Sequence, residues 1–177
     1  MVSPLRLFGG AVQREKGFTL LELLIVVAII AIISAIAIPN LLVAIQRGRQ
    51  RRTMVDMRNL AMAWEARNIE VGRYNAAGAL PGIDQQVNLT DLNTALAPTY
   101  IKVLPWNDGW NHQFQAWSSQ SWSGASPAQQ YAIISPGRDG EFATTETLGA
   151  LQNFDCDIIF SNGSFLSYPE GVSTGTQ

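Results

Sequence analysis

The sequence predicts an α+β fold: a long N-terminal helix, part membrane span and part amphipathic, packed on a small antiparallel β-sheet. Three observations carry that expectation. From Phe18 to Ile38 run 21 residues that are apolar or small except Thr19, Glu22 and Ser34. Beyond Pro39, apolar residues recur at three- and four-residue spacings as far as Trp64. After Gly72 the pattern changes to short apolar stretches bounded by Gly, Pro, Ser or Asn, as strands and turns require.

Residues 1–17 read as a leader peptide, whose Arg6, Arg14 and Lys16 fit an N-terminus held on the cytoplasmic side. Residues 18–38 read as a transmembrane helix, since at about 1.5 Å per residue they reach roughly 30 Å, the thickness of a bilayer's hydrocarbon core. Glu22 lies inside that span, where an unpaired carboxylate costs about 3 kcal/mol or more. It therefore needs a partner, unless it snorkels to the headgroups. Residues 39–70 read as the amphipathic continuation of the same helix, with Leu41, Leu42, Ile45, Met57, Leu60, Ala61 and Trp64 on the packing face. Pro39 and Gly48 are expected to kink or loosen it, and Gly72 to end it. Arg47, Arg49, Arg51 and Arg52 read as a solvated face near the membrane. No aromatic residue interleaves them, and the net charge of −2 offers no general attraction for nucleic acid.

Residues 71–177 read as a C-terminal globular β domain. A loop over 72–90 leads to a helix over 91–97, capped by Thr90 and closed by Pro98. Three or four strands follow around Phe114 and Trp117, Tyr131 and Ile133, Ile158 and Phe160, and Phe165. The polar tail from Gly171 is expected to be loose. One cysteine, Cys156, allows no intrachain disulfide; the flanking Asp155 and Asp157 disfavour its thiolate, so it reads as a packed thiol. His112 reads as an exposed turn residue. No Gly-x-Ser-x-Gly, His-Glu-x-x-His or phosphate-binding glycine loop is present. The five tryptophans read as core or subunit contacts; a carbohydrate platform would need several of Trp106, Trp110, Trp117 and Trp122 exposed and coplanar. Asp139 sits in the Gly137–Gly140 turn, with Asp155 and Asp157 at the far end of the same loop. Three such carboxylates suit a hard cation such as calcium, against the alternative of a turn aspartate and two solvated ones. The balance favours a structural subunit; a membrane-anchored binding module or enzyme is the competing class.

Gly17-Phe18-Thr19-Leu20-Leu21-Glu22, with a basic leader before it and an apolar helix after it, resembles a type IV prepilin processing site, shared by pilins and the pseudopilins of type II secretion. The resemblance implies the pilin fold, cleavage by the prepilin peptidase after Gly17 and methylation of the new N-terminus at Phe18. It also implies a single-pass anchor in the inner membrane, then a homo-oligomeric helical filament, periplasmic or extracellular, built with inner-membrane assembly machinery. Glu22 matches the family's acidic fifth position, whose carboxylate would pair with the amine of a neighbouring subunit, and Pro39 agrees at the end of the span. No nucleic-acid partner is expected. In the soluble part, Tyr100-Ile101 with Leu104-Pro105, the Asp108–His112 turn and the Tyr131–Gly140 stretch are similar to the major pseudopilin of type II secretion. In that family the chain after Asp-Gly forms a calcium-binding loop in place of a disulfide, which implies calcium held by Asp139, Asp155 and Asp157.

Overall fold

A computed structural model describes residues 17–75, 86–120, 122–123, 125–143, 148–151 and 153–169. The leader up to residue 16, the middle of the 72–90 loop, Thr144, Thr145 and Thr147, and the tail from Gly171 lie outside the described residues. The chain divides into two compact units, Met1–Asn40 and Leu41–Gln177.

Helix α1 runs from Leu20 to Val71, 52 residues, starting two residues later than Phe18. Among the described residues it is the one helix long and apolar enough to cross a membrane. In the single chain the helix continues through both Pro39 and Gly48; the loosening expected at Pro39 concerns the filament. Proline removes a single donor, the one that would serve the Ala35 carbonyl, and the long helical flanks hold the rest in place. The Asn40 side-chain amide also donates back to the Ile36 carbonyl at 3.1 Å. Gly72 ends the helix with φ +76°, its N–H donating to the Asn68 carbonyl at 2.7 Å, a conformation glycine adopts without strain.

Within the second unit α1 buries Gln50, Thr53, Met57, Leu60, Ala61, Ala63, Trp64 and Arg67. Leu41, Leu42 and Ile45, expected on the packing face, are exposed instead. Lower on the helix only Val43 packs, partly buried, against the core, and Trp110 Nε1 donates to Gln46 Oε1 at 2.6 Å. Fully burying Met57, Leu60 and Trp64 contributes on the order of 2 kcal/mol each by area removed from water.

The sheet is larger than the three or four strands expected. Its six strands are β1 (Gln86–Val87), β2 (Gln115–Ser118), β3 (Tyr131–Ser135), β4 (Gly149–Leu151), β5 (Ile158–Ser161) and β6 (Ser164–Pro169), in the order β1-β2-β3-β5-β6-β4. All neighbours are antiparallel except β4 with β6. The two additions, β1 and β4, are edge strands of two and three residues, too short to show an alternating pattern. Helix α2 spans Leu89–Leu96 and buries Leu89, Leu92 and Leu96. Its cap is Asn88, not Thr90: Asn88 is extended and its side-chain oxygen accepts the Thr90 N–H at 2.8 Å. Trp64 joins helix to sheet. Its ring centroid lies 5.0 Å from that of Tyr131 and 6.2 Å from that of Tyr74, and its indole N–H donates to the Tyr74 carbonyl at 2.7 Å.

Candidate functional site

The start of α1 is the first candidate. Gly17, Phe18 and Thr19 precede the helix, Phe18 is 80% exposed, and a Cβ added to Gly17 would meet nothing within 4 Å. The Gly17–Phe18 bond thus lies outside the hydrogen-bonded helix. Thr19 and Glu22 close a reciprocal cap. The Glu22 N–H donates to Thr19 Oγ1 at 3.2 Å, while Glu22 Oε2 accepts from the Thr19 N–H at 3.0 Å and from its hydroxyl at 2.8 Å. This is the Thr-x-x-Glu capping box, which satisfies donors that a helix start otherwise leaves unpaired. Its signature stands in the sequence, but the reading of Glu22 as an intramembrane carboxylate passed over it. In the single chain, then, the carboxylate has a local partner in Thr19, at the start of the helix.

The second candidate is the turn that holds the β domain to α1. The Asp108 side chain is buried. Its Oδ1 accepts from the backbone N–H of Trp110 at 2.9 Å and of His112 at 2.8 Å, and its Oδ2 accepts from the Ser135 hydroxyl at 2.8 Å. Gly109 donates its N–H to Thr53 Oγ1 at 2.8 Å, and a Cβ there would fall 2.2 Å from the Arg49 carbonyl oxygen. His112 is corrected from an exposed turn residue to a half-buried strut. Its Nδ1 lies 2.8 Å from the Gly137 carbonyl oxygen, and its ring sits where a Cβ on Gly140 would come within 3.0 Å. Asp108, His112 and Ser135 do not form a nucleophilic triad, because the hydroxyl bonds the carboxylate and not the imidazole. In the sequence Asp108 stands out only as the first residue of a turn that carries the family likeness; a lone turn aspartate gives no local sign that its turn will be buried against a helix.

The third is the loop carrying the predicted cation ligands. The structure does not gather Asp139, Asp155 and Asp157 into one site: among the described residues no three His, Cys, Asp or Glu side chains could jointly hold a metal ion. Asp155 is taken by Arg138, whose Nε and Nη2 each donate at 2.6 Å to a different carboxylate oxygen. That pair lies beside a backbone clasp. Arg138 N–H donates to the Phe154 carbonyl at 2.8 Å, and a Cβ on Gly137 would stand 2.8 Å from the Phe154 and Cys156 carbonyl oxygens. Asp139 Oδ1 accepts the Glu141 N–H at 3.2 Å. Asp157 Oδ2 accepts the Ala143 N–H at 2.9 Å, but its Oδ1 is buried with no hydrogen-bond partner among the described residues. Burial raises the Asp157 pKa above the ordinary carboxylate value, and the charge of Asp139 adds to the rise. The Cys156 thiol is also raised, chiefly by burial and less by its acidic neighbours.

The tryptophans form no exposed platform. Trp110 is buried, Trp106 and Trp122 pack partly buried against the core, and Trp117 is half-buried. Arg67 lies over the Trp122 ring at 5.6 Å while donating to the carbonyls of Arg73, Tyr74 and Asn75.

Comparison with known proteins agrees with the first candidate. Residues 12–38 match the prokaryotic N-terminal methylation motif. The type II secretion system core protein G of Aeromonas hydrophila is 30% identical over 147 residues, 77% of this chain and 92% of that protein. The type IV major pilin PilA of Myxococcus xanthus is 44% identical over 62 residues, 35% of this chain and 28% of that protein. The type IV wide pilus major component PilA4 of Thermus thermophilus is 66% identical over 35 residues, 20% of this chain and 27% of that protein. No solved structure matches the chain significantly.

Proposed function

We propose, because this chain belongs to the family of type IV pilin-like proteins that includes type II secretion core protein G, that it is a structural subunit of a type II secretion pseudopilus. The carrying observation is the extent of the likeness: it continues through the soluble domain to 92% of the length of the Aeromonas hydrophila protein. A surface type IV pilus is the second reading, favoured by the higher identity of the two pilins over their shorter matched stretches of 62 and 35 residues. In both, the leader is removed after Gly17, the amine of Phe18 is methylated, and the chain is held by one span in the inner membrane before joining a periplasmic or extracellular filament. The work is mechanical and not enzymatic. Intact mass of the chain purified from membranes should correspond to residues 18–177 with one added methyl group. A chain that keeps its leader, or begins at any other residue, contradicts the reading.

Assembly follows from the charges. Cleavage creates an ammonium on Phe18, the residue immediately before the Thr19–Glu22 cap. Inside a bundle of spans, the Glu22 carboxylate of one subunit and the Phe18 amine of another each lack water. Pairing them removes two penalties at once and rewards one axial register over others.

Calcium belongs to the same reading, with a narrower ligand set. Asp157 and Asp139 suit a cation: one buried oxygen of Asp157 lacks a partner among the described residues, and the charge of Asp139 adds to the cost of ionising Asp157. Asp155 does not, being committed to Arg138. A bound ion would supply the positive charge that this end of the loop lacks, and its binding energy would add to folding. Millimolar calcium should raise the unfolding midpoint of the detergent-solubilised chain relative to chelator. Asp157→Asn should abolish that rise, whereas Asp155→Asn should lower both midpoints and leave their difference. An unchanged midpoint with the native chain rules out a structural site.

A further inference from the structure

Four arginines crowd one stretch of α1 soon after the apolar span: Arg47, Arg49, Arg51 and Arg52. No acidic residue stands between Glu22 and Asp56. Arg52 reaches Asp56 at 3.5 Å, but Arg47, Arg49 and Arg51 form no ion pair among the described residues. Arg49 and Arg51 are exposed, and the Nε of half-buried Arg47 has no hydrogen-bond partner among those residues. In an anchored chain these charges are out of place. With the leader on the cytoplasmic side, they lie on the translocated side, close enough to the span to oppose crossing. Arg6, Arg14 and Lys16 before the span are matched by four arginines after it, so insertion gains nothing from them. A contact made after crossing would offset that cost.

The helix itself indicates the partner. Leu41, Leu42 and Ile45 remain 60%, 55% and 44% exposed. At 3.6 residues per turn, Leu41, Leu42, Ile45, Arg49 and Arg52 climb one side of the helix, so an apolar row turns basic within about one turn. Arg47 and Arg51 stand on the other flank of the stripe that holds buried Gln50, Thr53 and Met57. At about 1.5 Å per residue the four arginines lie roughly 3–10 Å beyond Ile45, which matches a headgroup layer about 5–8 Å deep above the hydrocarbon. A guanidinium fork fits a phosphate, and an anionic lipid leaves that phosphate's charge uncancelled. We propose that Arg47, Arg49, Arg51 and Arg52 form a collar that binds the phosphates of anionic lipids at the membrane surface, with the hydrocarbon boundary at Ile45 and not at Ile38. The proposal rests on the reading that α1 anchors the chain by one span, and it names the surface that the span's outer end meets.

The test places the full chain in vesicles of phosphatidylcholine carrying about one-fifth phosphatidylglycerol, releases it in mild detergent and counts the retained lipids by native mass spectrometry. Retained phosphatidylglycerol should exceed its share of the vesicle at least about threefold. Arg49→Gln with Arg51→Gln, both at exposed positions, should lower that excess, and adding Arg47→Gln and Arg52→Gln should abolish it. Lys102→Gln with Arg73→Gln removes as much charge as the first pair, from residues beyond α1, and should leave the excess intact. No excess from the native chain, or an undiminished one from the fourfold variant, overturns the site. An equal loss from Lys102→Gln with Arg73→Gln assigns the effect to net charge and overturns the collar. Displacement of the lipid by millimolar inorganic phosphate at constant ionic strength overturns a lipid as the ligand. A native chain that fails to float with the vesicles would instead overturn the span reading beneath the proposal.

Discussion

A chain carrying Glu22→Gln inserts into the membrane as well as the native chain but yields filaments at least about tenfold less often. Glutamine is the informative replacement because it completes a capping box as glutamate does, so the start of α1 keeps its bonds to Thr19. Only the charge is lost. Leaving the Phe18 ammonium of a neighbour buried without its carboxylate costs about 3–5 kcal/mol, which is more than a hundredfold in an association constant. Glu22→Ala removes both cap and charge and should lose filaments to the same degree, with some fraying of the first turn. The measurement is the ratio of sheared filament to membrane-bound subunit. Native yield from Glu22→Gln would assign Glu22 to capping alone.

Gly109→Ala should lower the unfolding midpoint of the mature, solubilised chain by roughly 10 °C, corresponding to about 3 kcal/mol. The added methyl would lie 2.2 Å from the Arg49 carbonyl oxygen, 2.7 Å from its carbon and 2.9 Å from its Cα, all backbone atoms of a helix that cannot recede locally. The turn must retreat instead. It then gives up the bond from Gly109 to Thr53 and the one from Trp110 to Gln46, which tie the β domain to α1. Circular dichroism on heating measures this; a midpoint within about 2 °C of native would show that the turn is not a fixed joint.

The parts legible in the sequence were those governed by local rules. The run from Phe18 to Ile38, the 57–60–61–64 spacing and the stop at Gly72 each need only neighbouring residues to be read, and the helix follows them. The Asn88 cap was displaced by two residues because Asn88 and Thr90 are both good caps, and only the backbone angles distinguish them. What stayed hidden depends on partners far away in the chain. Asp108 looks like any turn aspartate until Ser135, 27 residues later, is brought to it. Asp155 looks like a cation ligand until Arg138, 17 residues earlier, is found holding both its oxygens. Leu41, Leu42 and Ile45 follow a helical spacing, yet nothing in that spacing reveals where the β domain ends. The Thr19–Glu22 box was the exception, a local signature outweighed by the interest of a carboxylate inside a span.

The measurement that bears most directly on the account is a helical reconstruction of filaments assembled from this chain, at a resolution that places side chains. The Glu22 carboxylate should have left the Thr19 hydroxyl and lie within hydrogen-bonding distance, about 3 Å, of the methylated Phe18 amine of a neighbouring subunit. A filament in which Glu22 remains closed on its own Thr19, with the neighbouring amine paired elsewhere, would contradict it.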